Sequence, residues 1–441
     1  MRIHGLICLL LLSVTAWAQE ERAIDNFAGV GVRAMGMGGA FVGVADDFTA
    51  TYWNPAGLAQ MTEREVHVGF LRNSRTGQST FNGTAAQSEL SNTRFGSLGF
   101  VYPFPVYRGS LVFAVGFQRV KDFDWSLRQT GMDAVDSLYV DHRFQHEGEL
   151  ALSSMAVAVD VSPSLSLGLA LGLSGGEDES SNAFSWDDSQ NLYLERRFFA
   201  TDTFSDDYKS SWYTKLGALV RLPREQPRLR LGAAMSTGVG QEVRYIFRGS
   251  PDGYNRIDYD DGTTIRSDGE EISGRYQIAL PLAFSFGGSY APLPGLLVAG
   301  GLHFAEWSQS EYEGGADRQL RADTSFERQY RDVIRYHLGV EWQVPAIALD
   351  LRAGWYTDPL PFVGPRDPDP FSADPPIRIV EDRQFVTLGA GLLLDEVVQV
   401  DFAWVHGRST QIEETIFEGR TNALREANKL TRLFVGVAYR F

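Results

Sequence analysis

The chain has 441 residues, a formal net charge of −16 and a sequence pI near 4.9, which excludes the basic surface that nucleic-acid phosphates require. Its one cysteine, Cys8, lies in an N-terminal apolar run, so the residues after it can form no disulfide, Cys-ligated metal site or Cys nucleophile. Past that run no stretch is long and apolar enough for a helical membrane span, yet aromatics reach 12% and glycines number 45, a composition suited to alternating strands.

At the N-terminus, Arg2 and His4 precede apolar residues 6–14, and Ala16-Trp17-Ala18 forms an A-x-A cleavage site before polar Gln19 and Glu20. Residues 1–18 therefore read as a secretory signal peptide, since the run is too short for an anchor. Cys8 sits inside the run, not at its end, which argues against lipidation.

Residues 19–62 do not alternate as strands do. They hold Gly29, Gly31, Gly36, Gly38, Gly39, Gly43 and Gly57 among small apolar residues. Gly36-Met37-Gly38-Gly39 lacks the spacing and the preceding strand of a nucleotide loop. Glycine instead permits close backbone packing, so this segment reads as a compact plug. Asp46 and Asp47 are placed to cap a following short helix, and Asn54-Pro55 suits a turn or a helix start.

From residue 63 to 441 alternating segments recur with a short–long rhythm. Tight turns fall near 103–109, 162–164, 222–227, 291–295, 344–346 and 394–396. Longer polar stretches lie near 74–92, 121–147, 175–207, 239–271, 309–329, 357–380 and 408–429. This rhythm predicts an all-β, 14-stranded antiparallel transmembrane barrel with short inner turns and long outer loops. Ile347, Leu349, Leu351, Ala353 and Trp355 would face lipid, with Asp350, Arg352 and Tyr356 facing inward. Ile334, Tyr336, Leu338, Val340 and Trp342 oppose Arg335, His337 and Glu341 in the same way. Tyr102, Trp212, Tyr213, Trp342, Trp355, Trp404 and Tyr439 are expected in the interfacial girdles. The final strand carries Leu433, Val435, Val437, Tyr439 and Phe441 on one face, with Phe434, Gly436, Ala438 and Arg440 on the other. Tyr439 and the terminal Phe441 read as the signal for barrel-assembly machinery, and the barrel would meet outer-membrane lipid and lipopolysaccharide. A large soluble sandwich would alternate similarly; the export signal and loop asymmetry favour the membrane.

The segments 35–41 (MGMGGAF), 45–47 (ADD) and 52–58 (YWNPAGL) resemble the N-terminal plug of the FadL/TodX family of outer-membrane transporters. Asn54-Pro55-Ala56 matches that family's NPA element. The resemblance implies passive transport of long-chain fatty acids or other hydrophobic small molecules, caught in an outer groove, held in a luminal pocket and released as the plug moves. It also implies plug roles for Gly36, Gly38, Gly39, Asp46, Asp47, Asn54, Pro55 and Ala56. Phe27, Phe41 and Phe48 are candidate ligand contacts, or plain packing of plug on wall. Related barrels such as PorV serve protein secretion, so a structural or secretion partner is the alternative.

Catalytic and metal groupings are weak, and neither an enzyme nor a cofactor is expected. Asp141, His142, His146 and Glu147 share one expected outer loop without a further ligand set. Residues 258–262 (DYDDG) fail the calcium-loop pattern. Inward His337, Glu341, Asp350, Arg352 and Asp401 read as ion pairs within a small lumen. The proline-rich 365–376 stretch reads as a stiff outer loop.

Overall fold

In the computed structural model, fourteen antiparallel strands form one closed cylinder. The structure describes residues 27–223, 228–238, 240–249, 255–267, 271–313, 326–345, 347–364, 377–417 and 420–441. The expected signal peptide and the 365–376 stretch lie outside the described residues. The first seven strands are β1 (Glu65–Phe81), β2 (Thr84–Phe104), β3 (Leu111–Asp122, resuming as Trp125–Met132), β4 (Tyr139–Ser162), β5 (Leu165–Asp187), β6 (Glu195–Leu222) and β7 (Leu229–Ser236 and Gly240–Gly249). The second seven are β8 (Glu271–Ala279 and Ala283–Leu293), β9 (Leu296–Ala305 and Glu311–Glu313), β10 (Val333–Gln343), β11 (Leu349–Thr357), β12 (Ile377–Leu394), β13 (Val398–Phe417) and β14 (Arg420–Arg440). Sequence neighbours pair throughout, and β1 pairs with β14 from Glu65↔Arg440 to Phe81↔Leu424, which closes the sheet on itself.

Two-residue alternation sorts the wall. Leu338, Leu351, Phe402, Val435 and Tyr439 are exposed outside, whereas Arg335, His337, Arg352, Ala403 and Phe434 are buried inside. An apolar exterior of this extent is stable only in hydrocarbon. Trp212, Trp342 and Tyr439 lie exposed on the outer face, as expected for a girdle. Tyr213 does not join them. Between Tyr208 and Ser211 the β5–β6 register slips, and the phase shift turns Tyr213 inward with Lys215, whose ammonium lies 5.9 Å from its ring.

The expected long outer loops are mostly strand. Residues 74–92 form a hairpin whose tip is Asn82-Gly83, with φ of 45° and 89°, the left-handed pair that a type I′ turn requires. β6 alone runs for 28 residues. These extensions are polar on their outer faces, so they lose the apolar alternation that marks a half-buried strand. The backbone ladder continues because hydrogen bonding needs no apolar face. Residues 258–262, weighed as a calcium loop, turn a small hairpin between Asn255–Tyr259 and Thr264–Ser267.

Residues 27–62 lie inside the short-turn half of the cylinder. Helix α1 (Val32–Gly36), helix α2 (Ala50–Trp53) and a 3₁₀ turn (Pro55–Gln60) are joined by tight turns, with Met35, Met37, Phe41, Phe48 and Leu58 fully buried. Nearer the long hairpins, the lumen is lined by a second apolar cluster that includes Tyr208, Tyr276, Ile278, Trp307 and Tyr330.

Candidate functional site

The wall is thinned where the plug meets it. Inward glycines stand opposite one another across neighbouring strands: Gly99↔Gly116, Gly168↔Gly217, Gly232↔Gly287 and Gly339↔Gly354. A Cβ on Gly217 would lie 2.2 Å from Asn54 Oδ1, one on Gly168 2.3 Å from Ala56 N, and one on Gly354 2.3 Å from Gly38 N. No real Cβ sits so close, so a ring of missing side chains receives the plug. Gly38 itself adopts φ of 64° beside the β10 and β11 backbones, a conformation and a space open only to glycine.

Asn54 uses its whole amide in this ring. Its NH₂ donates to the carbonyls of Val42 in the plug and Ala218 in β6, both at 3.0 Å. Its Oδ1 accepts from Ala56 N–H at 3.2 Å and so caps the 3₁₀ turn that Pro55 opens. Asp47 Oδ1 accepts from the Thr49 N–H at 2.8 Å and hydroxyl at 2.6 Å, closing the turn before α2. Asp46, expected to cap as well, instead meets Arg33 at 2.5 Å and Arg230 at 3.2 Å.

These contacts belong to an ion-pair latch between plug and wall. Arg33 forks onto Glu341 at 2.7 and 2.8 Å, and Arg352 reaches Glu341 and Asp401 at 2.6 Å each. Of the inward groups expected to pair, Glu341, Asp350, Arg352 and Asp401 do so, whereas His337 Nδ1 meets the Gly38 carbonyl at 2.8 Å. Sequence reasoning did not single out Arg33, although it is the one basic residue of 27–62, a segment that also holds Asp46 and Asp47. Burial alone would raise the Asp46 carboxyl, but Arg33 and Arg230 outweigh it and hold Asp46 below the ordinary value. Burial and the neighbouring Glu65 charge raise Asp47 instead. Beneath the latch, at the short-turn end, a cavity of about 440 Å³ is lined by Arg33, Asp46, Asp47, Arg230, Arg352 and Arg440 among others.

Above the plug the surroundings change. Phe27 meets Trp53 and Tyr356 edge-on, each at 6.1 Å, and Arg335 lies 5.5 Å over its ring. Phe41 and Phe48 are fully buried, the latter stacked on His67 at 5.7 Å and filling the notch at Gly99 and Gly116. Tyr276, Tyr312, Phe326, Tyr330 and Phe362 form a continuous run of ring contacts 4.8–5.6 Å apart, and Trp307 joins the same cluster. Lys121 sits 5.5 Å from the Trp307 ring. Lys215, 5% exposed, donates to the Tyr52 carbonyl and lies 4.7 Å from the Tyr52 ring. Among the described residues no carboxylate stands within ion-pair distance of Lys215.

The wall itself is interrupted beside Phe27. The β2–β3 ladder stops at Ser97↔Gln118. Beyond the break at Phe123 and Asp124, β3 pairs with β4 and crosses the inner face of the β1–β2 hairpin, accepting from Ser88 Oγ at Ser126 O (2.9 Å) and from Asn82 Nδ2 at Met132 O (2.9 Å). The outer length of β2 thus lacks a second strand partner among the described residues. Phe95, at that edge, stacks on Phe117 at 5.8 Å. A small cavity of about 20 Å³ behind the gap is lined by Gly29, Gly31, Gly69, Gly96, Arg119 and Phe434 among others. The only sequence signal for this break was the charged interruption at 119–124 of an otherwise apolar strand.

The other candidates are placed apart from this path. His142 and His146 lie on strand β4, not in a loop. His142 Nε2 is 2.5 Å from Asn182 Oδ1, and His146 Nδ1 is 3.5 Å from Asp178. Four residues along a strand separate them by roughly 13 Å, too far to share one ion. Tyr439 and Phe441 stack at 5.4 Å on the lipid face, and the Phe441 backbone exchanges hydrogen bonds with Arg64 at 3.0 and 3.2 Å.

A closed 14-strand barrel with an apolar exterior and a plugged lumen is an outer-membrane barrel of the transport class. The family model "Outer membrane protein transport protein (OMPP1/FadL/TodX)" matches residues 224–441, and that part of the chain is similar to the family. The fold is shared with a Pseudomonas aeruginosa FadL homologue (TM-score 0.63, 15% identity, covering 95% of this chain and 100% of that one). The P. putida toluene transporter TodX gives a TM-score of 0.61 at 13% identity, covering 94% and 99%. The Ralstonia pickettii toluene transporter TbuX gives 0.54 at 13%, covering 94% and 99%. No curated protein matches the chain.

Proposed function

We propose that this protein carries long-chain fatty acids or other hydrophobic small molecules passively across the outer membrane, without a catalytic step or cofactor. Residues 1–18 would be removed on export, 19–62 form the plug and 63–441 the barrel. The observation that carries this reading is the aromatic lumen ending on a buried Lys215 that has no carboxylate partner among the described residues. A buried ammonium without a counter-ion is costly, and an anionic headgroup would supply one while its tail lies along Trp307, Tyr312 and Tyr330. The named relatives fit this reading: two are described as toluene transporters. An aromatic lumen favours transport over the alternative of a secretion-partner barrel.

Of the three phenylalanines, Phe27 borders the lumen and the wall gap, so we assign it to the ligand path. Phe41 and Phe48 are assigned to plug packing. Release is assigned sideways, through the β2–β3 gap, once the segment around Gly29 and Gly31 shifts. Tyr439 and Phe441 are assigned to recognition by the assembly machinery. The test compares oleate with an uncharged alkane of similar length. Lys215→Met should weaken oleate binding about tenfold, or roughly 1.4 kcal/mol, and leave the alkane unchanged. Equal loss for both ligands, or none for either, would refute the headgroup role.

A further inference from the structure

One outward face of the barrel carries cations that the transport path does not use. On β13, β14 and β1 the apolar belt ends at Phe70, Phe402 and Val435, all exposed, with Trp404 stacked on His406 at 5.6 Å just above. Arg72 stands at the same level, opposite Leu433. Further toward the long hairpins, Arg408 and Lys429 lie directly opposite each other across β13 and β14, and Arg425 follows on the same face. All four side chains are exposed.

Like charges facing each other across a ladder destabilise it. Arg408 has one relief, the exposed Glu381 at 2.7 Å, which is worth little in solvent. Among the described residues Arg72, Arg425 and Lys429 make no ion pair. The surroundings sharpen the contrast. On the β4–β6 extensions, beyond β2 and β3, the outward cross-strand row is Glu149↔Glu177↔Asp207, and the whole chain is at −16. A basic face on an acidic protein, seated immediately above an apolar belt, is complementary to an amphiphile with acyl chains below and anionic groups above.

We infer that this face of β13, β14 and β1 binds a phosphorylated glycolipid of the outer leaflet, its acyl chains along Phe70, Phe402 and Val435 and its phosphates between Arg408, Lys429 and Arg425. The bound phosphate removes the Arg408–Lys429 repulsion, which couples lipid binding to the order of the β13–β14 hairpin.

Native mass spectrometry of the full chain in detergent tests this, with bisphosphorylated lipid A, its dephosphorylated form and inorganic phosphate as probes. The unaltered chain should retain the bisphosphorylated lipid at least tenfold better than the dephosphorylated one, and excess inorganic phosphate should not displace it. Arg408→Gln with Lys429→Gln should lower retention about tenfold, and Lys209→Gln, on the β6 extension, should not. Heat-dependent gel migration reports whether each variant closes its barrel; should the double variant fail to, Arg425→Gln alone carries the same expectation. Equal retention of the dephosphorylated lipid, or undiminished retention by the charge-removed variants, overturns the inference. Displacement by inorganic phosphate alone would reassign the face to a free anion and overturn it equally.

Discussion

The two halves of the lumen are filled by opposite means. In the short-turn half, backbone meets backbone: wall glycines at 99, 116, 168, 217, 339 and 354 omit side chains so that the plug can seat, and buried ion pairs fix its orientation. In the outer half, large rings meet in tilted and T-shaped pairs. The first arrangement tolerates almost no change in volume, because backbone cannot adopt another rotamer. The second can repack around a guest, since side chains reorient at modest cost. A gate and a pocket make different demands, and one cylinder meets both by changing what points inward.

The largest effect should come from the latch. Arg352→Met removes the ion-pair partner of Asp401 and leaves Glu341 with Arg33 alone, and loss of one partner from such a buried network costs about 3–5 kcal/mol. Hydrogen exchange should show residues 33–47 deprotected while the strands stay protected; unchanged protection would mean that packing alone seats the plug. Next, Gly217→Ala should cost about 1–3 kcal/mol of plug stability by overpacking, read as proteolysis within residues 40–60 at lower urea. Gly300→Ala, where a Cβ meets nothing nearer than Leu338 Cδ2 at 3.4 Å, should leave that urea midpoint unmoved. In the outer half, Ile278→Leu keeps volume and should cost under about 1.5 kcal/mol in the thermal midpoint; a larger loss would show that this half is as rigid as the other.

The smallest effect is that of pH. Asp47 has a raised carboxyl, so its contribution is present in acid and lost as pH rises through that raised value. Asp46 has a lowered one, so its contribution is present at neutral pH and lost as pH falls through the lowered value. Acidifying from neutrality to just above the ordinary carboxylate range should therefore raise the urea concentration that frees the plug. Further acidification should lower it. Asp47→Asn should abolish the rise and keep the fall; a rise that survives in that variant would show that Asp47 is not its source.

The cylinder was legible wherever one face met lipid. Leu351 against Arg352 and Phe402 against Ala403 declare their sides through polarity alone. The strand extensions beyond the belt were not legible, because Ser74, Thr76 and Gln78 on one face and Asn73, Arg75 and Ser79 on the other give no contrast. Within the site, Asn54 and the plug glycines stood out as residue types with one physical use. The receiving glycines of the wall did not, since Gly168 and Gly217 lie 49 positions apart and become a pair only through cross-strand register. The β2–β3 gap was hidden for the same reason: it is a missing pairing, and no residue type marks an absent hydrogen bond.

Arg64 and Phe441 hydrogen-bond although they lie at nearly opposite ends of the sequence, and the plug ends only a few positions before Arg64. That contact places the start of the wall at its own seam: the plug hands over to β1 where β1 and β14 pair, so a single junction both anchors the insert and completes the ring.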